Sequence, residues 1–186
     1  MKAHKVINYE SILQALGEPG CPFCRFMKNY QSLLLQEPLQ KEVHHLCNFH
    51  TWGLAATQRA MPAARLFLTM LERSLDSSPT SPCDICVLLE LEDDRRIREF
   101  ISCLSHKLIQ QWLRSRPTLC VAHGTKLRHG APLFVSASIS SLLDSTRKEL
   151  AQELTHLLDD HQAGDPAWGV LGHVAEFLVS QRGLKP

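Results

Sequence analysis

Four short dyads hold six of the seven cysteines of this 186-residue chain: Cys21-Pro-Phe-Cys24, Cys47-Asn-Phe-His50, Cys83-Asp-Ile-Cys86 and Cys120-Val-Ala-His123. Their order is C-x-x-C then C-x-x-H, written twice. Each consecutive pair supplies three thiolates and one imidazole, the donor set of a closed tetrahedral zinc site. The tandem reading assigns Cys21, Cys24, Cys47 and His50 to one metal and Cys83, Cys86, Cys120 and His123 to a second, so two zinc ions are expected. A site whose four positions are filled by protein has nowhere to hold a reactive water, which points away from metal hydrolysis.

Other chemistries of these residues rank lower. Iron-sulfur clusters usually take four cysteines, so they stand second to zinc. A c-type haem needs His after C-x-x-C, and Arg25 and Val87 occupy those places. Cys21-Pro-Phe-Cys24 looks like the dithiol of the glutaredoxin and thioredoxin families, which makes a zinc-thiolate redox sensor or a dithiol oxidoreductase using Cys21 and Cys24 the alternative function. Those folds place the dithiol after a buried strand, whereas a helical pattern precedes Cys21 here. No Walker loop, Rossmann glycine fingerprint, H-E-x-x-H or G-x-S-x-G is present. Arg25 and Lys28 beside the first site, and Lys126 and Arg128 beside the second, are candidates to offset the charge of about minus one on a Cys3His zinc centre. His44 and His45 fall outside the repeat, Cys103 reads as a core residue, and His156 and His161 as helix-end residues. The run Glu90 to Arg98 reads as a solvated helix face, with Glu92 and Arg96, and Asp94 and Arg98, spaced to pair.

The elements that must position the dyads are helical. Apolar spacing follows the helical period nearly throughout, and no stretch alternates as a half-buried strand does, so the fold class is all-α. A first helix is expected from an N-cap at Asn8 to Gly17, and a second from Cys24 to Glu37-Pro38. A long one after His50 should kink or break at Pro62. A helix from Asp84 is followed by a segment carrying Leu108 and Trp112. Gly124, Gly130 and Pro132 predict a loose segment, after which Ile139 to Leu158 reads as an amphipathic helix closed by Gly164. Asp165-Pro166 then starts a final helix through Leu178.

A continuous helix over the 33 residues between Cys86 and Cys120 would span about 50 Å and keep its two dyads apart. A reversal near Ser102 to His106, where helix propensity is weak, lets each unit close on its own metal. Without one, the C-x-x-C of one unit must pair with the C-x-x-H of the other. The expected architecture is two tandem helical-hairpin repeats, 1–76 and 83–164, each with a Cys3His knuckle. A Ser/Pro linker at 77–82 joins them, and a docking helix at 165–186 follows.

Composition sets the remaining bounds. With 20 Lys and Arg against 19 Asp and Glu, no charge bias draws the chain to nucleic acid. No window has the apolar length of a membrane span, and the N-terminus lacks a signal-peptide pattern, so the chain is expected to be cytoplasmic. The duplicated dyads resemble those of an uncharacterised bacterial family, a domain of unknown function, of small helical proteins built from C-P-x-C and C-x-x-H units. The resemblance runs from Cys21 to the closing Trp168 to Gly183 segment, and Leu46 and Leu119 replace the aromatic residue often found before the third cysteine of a unit. It implies a bacterial source and supports the ligand assignment. The functional expectation is a non-enzymatic, zinc-stabilised module whose exposed helix faces bind an as yet unidentified protein partner.

Overall fold

The computed structural model describes residues 9–18, 20–36, 43, 45–56, 60–73, 82–115, 117–159 and 167–179. Among them are nine helices and no strand: α1 Tyr9–Leu16, α2 Pro22–Gln36, α3 Asn48–Ala55, α4 Ala60–Arg73, α5 Asp84–Ser102, α6 Lys107–Arg114, α7 Val121–Gly130, α8 Leu133–Asp159 and α9 Ala167–Val179. The all-α expectation holds. The N-cap expected at Asn8, the linker at 77–81, Gly164 and the Asp165-Pro166 start lie outside the described residues.

Four helices begin immediately after the first cysteine of a dyad: α2 after Cys21, α3 after Cys47, α5 after Cys83 and α7 after Cys120. Cys47 and Cys120 are extended N-caps, with ψ of 165° and 158°. Pro22 occupies the first position of α2, where its missing N–H costs nothing. Gly20, at φ 86°, supplies the left-handed turn that swings the chain from the end of α1 into Cys21.

The chain divides into two compact units, one from the described parts of 1–26 and 95–184 and the other from those of 27–94. The division falls inside α2 and inside α5, rather than at the Ser/Pro stretch. In the first unit α7 packs on α8 and α9, and α1 packs on α6. Its core holds Ile12, Phe23, Phe100, Ile109, Leu119, Leu127 and Ile139, with the Phe100 ring edge-on to Phe23 at 5.3 Å and to Trp112 at 5.6 Å. In the second unit Val43, Leu54, Ala63 and Leu66 form one buried cluster and Leu34, Cys83 and Ile85 another.

The reversal expected near 102–106 is present. Three successive turn hydrogen bonds close it, from Cys103 N–H to Phe100, Leu104 N–H to Ile101 and His106 N–H to Cys103, and His106 then caps α6 by accepting from Leu108 N–H. Two expectations need correction. The stretch from Gly124 to Gly130 is not loose but lies within α7, because its glycines serve packing: a Cβ on Gly124 would stand 2.8 Å from Leu143 Cδ2, and one on Gly130 would stand 2.6 Å from Ile101 Cδ1. At Gly124 three atoms of Leu143 crowd the position, which sets close helix contact against the cost of about 1 kcal/mol that glycine imposes on a helix, whereas Gly130, the last residue of α7, meets only the tip of the Ile101 side chain. The long helix expected after His50 is interrupted, but ahead of Pro62: α3 ends at Ala55 and α4 starts at Ala60, which leaves Pro62 in the first turn, where no N–H is required of it.

Candidate metal centres

Both sites are assembled from pairs of helix N-termini. Cys21 and Cys24 at the start of α2 meet Cys120 and His123 at the start of α7 within the first unit, and Cys47 and His50 at the start of α3 meet Cys83 and Cys86 at the start of α5 within the second. All eight residues predicted as ligands are brought into two groups, each with its donor atoms within 4.8 Å of one another. The tandem pairing is overturned: the first dyad joins the fourth and the second joins the third. The reversal after α5 exists, yet it does not return the chain to Cys83. A 15-residue α2 carries the chain about 22 Å from its own first dyad and a 19-residue α5 about 28 Å, so the next dyad is delivered to a different partner.

The spacing of the donors can be tested against a metal. With Zn–S near 2.3 Å and Zn–N near 2.05 Å, a regular tetrahedron requires S···S separations of about 3.8 Å and S···N separations of about 3.6 Å. In the second group His50 Nδ1 lies 3.4 Å from Cys47 Sγ, 3.4 Å from Cys83 Sγ and 3.5 Å from Cys86 Sγ, and Cys47 and Cys86 Sγ are 3.8 Å apart. In the first, His123 Nδ1 lies 3.6, 3.3 and 3.0 Å from the sulfurs of Cys21, Cys24 and Cys120, and Cys24 and Cys120 Sγ are 3.5 Å apart. These four separations of the second group lie within about 0.2 Å of the zinc tetrahedron, whereas those of the first run up to about 0.6 Å shorter than it, at Cys120 and His123. No pair is bonded as a disulfide, which needs about 2.05 Å. Both imidazoles present Nδ1, the nitrogen nearer the backbone, as a three-residue spacing from an N-cap cysteine favours.

The electrostatics suit a cation. Two helix N-termini face each group, and their dipoles favour thiolate over thiol. Within the first group burial, reinforced by hydrogen bonding to Cys120 and Cys24, pushes the Cys21 thiol well above its ordinary range. Hydrogen bonds from Cys21 and Cys24, aided by His123, hold Cys120 far below it. Proximity of three sulfurs thus concentrates charge on one of them, and a bound dication would draw off the remaining protons.

Of the basic residues named from sequence, Arg25 is engaged elsewhere. Arg25 donates to the Ala15 carbonyl at 2.8 Å and pairs with Glu18 at 2.9 Å, tying the end of α1 to α2. Lys126 and Arg128 lie on α7 and so belong with the first group, not the second. In the charged run of α5, Arg96 and Arg95 both reach Glu99, and the Arg96 guanidinium stands 4.9 Å from the centre of the Phe26 ring. His45 is no ligand. Its backbone N–H donates to Asp84 Oδ2 at 2.8 Å and its carbonyl accepts from Asp84 N–H at 2.9 Å, which clamps the approach to Cys47 against the start of α5. His44 and His161 lie outside the described residues, His156 is in the last turn of α8, and Cys103 is half-buried at the edge of the first core.

Sequence reasoning missed two supports. Phe23, inside the first C-x-x-C, is buried and stacks on His123 at 5.6 Å, fixing the ring plane of a candidate ligand. Asp84 provides the clamp just described; its place directly after Cys83, at the first position of a helix, was the available signal. Comparison with protein-family models, with curated proteins and with solved structures finds no match to this chain.

Proposed function

We propose that this chain is a non-enzymatic helical module that holds two zinc ions structurally and presents its helix faces to a protein partner. The carrying observation is the donor set: two groups, each of three cysteines and one histidine, whose donor atoms all lie within 4.8 Å of one another. Such a site offers no open coordination position for substrate. Its contribution is stability, since each metal ties two helix N-termini that are distant in the chain. Kinship with the bacterial family of duplicated C-x-x-C and C-x-x-H units, and a cytoplasmic location that keeps the thiols reduced, belong to the same reading. No helix among the described residues is long and apolar enough to cross a membrane.

The test is metal content by mass spectrometry on protein purified without added metal, with a thiol count before and after chelation. Close to two zinc per chain, with the six dyad cysteines released by chelator, is the expected result. Iron, or no metal at all, would overturn it.

A second reading rests on exposure. Cys21 and Cys24 are only 5% and 0% exposed, which counts against their attacking an external disulfide, whereas Cys47 and Cys86 are half-buried. Zinc-thiolate oxidation therefore fits the second group: hydrogen peroxide takes two electrons from two of its thiolates, an S–S bond forms as the O–O bond breaks, two protons from solvent complete two water molecules, and the zinc departs.

A further inference from the structure

Helix α4 is apolar on two faces. Ala63, Leu66, Phe67 and Met70 pack inward, with Ala63 and Leu66 buried in the second unit's core. On the outward side Met61, Ala64, Leu68 and Leu71 follow one another at intervals of three, four and three, the a and d positions of a coiled-coil seam. All four are exposed, and the three large ones are 66%, 58% and 68% exposed. Singly exposed apolar side chains are ordinary, but a seam in register on one helix is an interaction face.

We propose that this seam pairs with α4 of a second copy of the chain, antiparallel about a two-fold axis. The flanking charges select that occupant. Arg65 and Glu72 both follow a d position directly, on one edge of the seam. In an antiparallel pair Met61 packs against the second copy's Leu71 and Ala64 against its Leu68. Residues on this edge then face the same edge of the partner, so Arg65 meets the second copy's Glu72, twice by symmetry. In a parallel pair the same residues would face Ala60 and Phe67, and no ion pair would form. The seam is short, about three turns of helix from Met61 to Leu71, so the dimer is weak and concentration-dependent. This gives the interaction reading above a specific partner and rests on it.

The test is sedimentation equilibrium of the metal-loaded full chain over a wide concentration range, with metal content measured on the same samples. Reversible dimerisation is expected, abolished by Leu68→Glu and weakened about tenfold by Arg65→Glu or Glu72→Arg alone. The double variant Arg65→Glu, Glu72→Arg should restore it. A monomer at every concentration that still holds two zinc ions overturns the seam pairing while leaving the metal reading intact. A dimer unaffected by Leu68→Glu overturns it too, and a double variant as weak as the singles refutes the antiparallel register. A dimer without metal would support the seam and sink the zinc reading.

Discussion

Replacing Cys120 by Ser separates the crossed pairing from the tandem one. Cys120 lies 3.0 Å from His123 Nδ1 and 3.5 Å from Cys24 Sγ, at the centre of the first group. Structural zinc sites of this kind bind with about 10–16 kcal/mol, so one donor in four accounts for about 2.5–4 kcal/mol. Exchanging a thiolate for a hydroxyl should then weaken the first site by about 10²–10³-fold. The second group, built wholly from residues 47–86, should keep its metal. The assay is alkylation of the metal-loaded protein in the presence of a competing chelator, with the labelled cysteines mapped by mass spectrometry. Cys21 and Cys24 should become reactive while Cys83 and Cys86 stay protected. Cys47→Ser should give the mirror result, exposing Cys83 and Cys86 alone. If Cys120→Ser instead frees Cys83 and Cys86 and spares Cys21 and Cys24, the crossed pairing is wrong.

Four further outcomes follow from the geometry. Because Cys47 and Cys86 are half-buried and the cysteines of the first group are buried, dilute peroxide or chelator should strip the second group first; simultaneous loss of both metals would contradict this. Metal uptake at the first group must take the proton that burial holds on Cys21, so its affinity should rise with pH, about tenfold per unit where one proton is released. Competition titrations at several pH values would measure this, and a pH-independent affinity would refute it. Phe100→Ala removes a side chain 1% exposed and wedged between Phe23 and Trp112, and should cost about 3–5 kcal/mol in urea unfolding of the metal-loaded protein; a loss below about 1 kcal/mol would mean the core repacks. Asp84→Ala deletes the acceptor for His45 N–H and should cost about 1–2 kcal/mol, with faster zinc release from the second group alone. Equal acceleration at both groups would deny Asp84 its local role.

The grouping of the eight candidate ligands was legible because three-residue spacing puts both donors of a dyad on one turn of helix, whatever the rest of the chain does. Their pairing was not. All four dyads are chemically complementary in any C-x-x-C with C-x-x-H combination, so donor type cannot choose between tandem and crossed sites; helix length and direction choose. The reversal at 102–106 could be read from its weak helix formers, but not where it would deliver Cys120. The helix α7 was hidden because glycine is scored locally as a breaker, while the reason for Gly124 is Leu143, nineteen residues further along the chain. The two faces of α4 are likewise indistinct in sequence, since apolar positions do not say which of them meets the interior.

The crossing of the dyads also fixes an order of completion on the ribosome. The Cys47 group has all its donors once Cys86 has emerged, whereas Cys21 and Cys24 must wait for His123, 102 residues after Cys21. During that interval the early thiols lie beside a complete but wrong set of donors, the Cys47 dyad, and zinc caught there would tie the nascent chain into its tandem form. Escape requires that the forming helices pull the Cys47 dyad away before a metal arrives, or that the misplaced ion exchanges freely. Severing the chain at the Ser/Pro stretch would yield two fragments that each carry half of both groups.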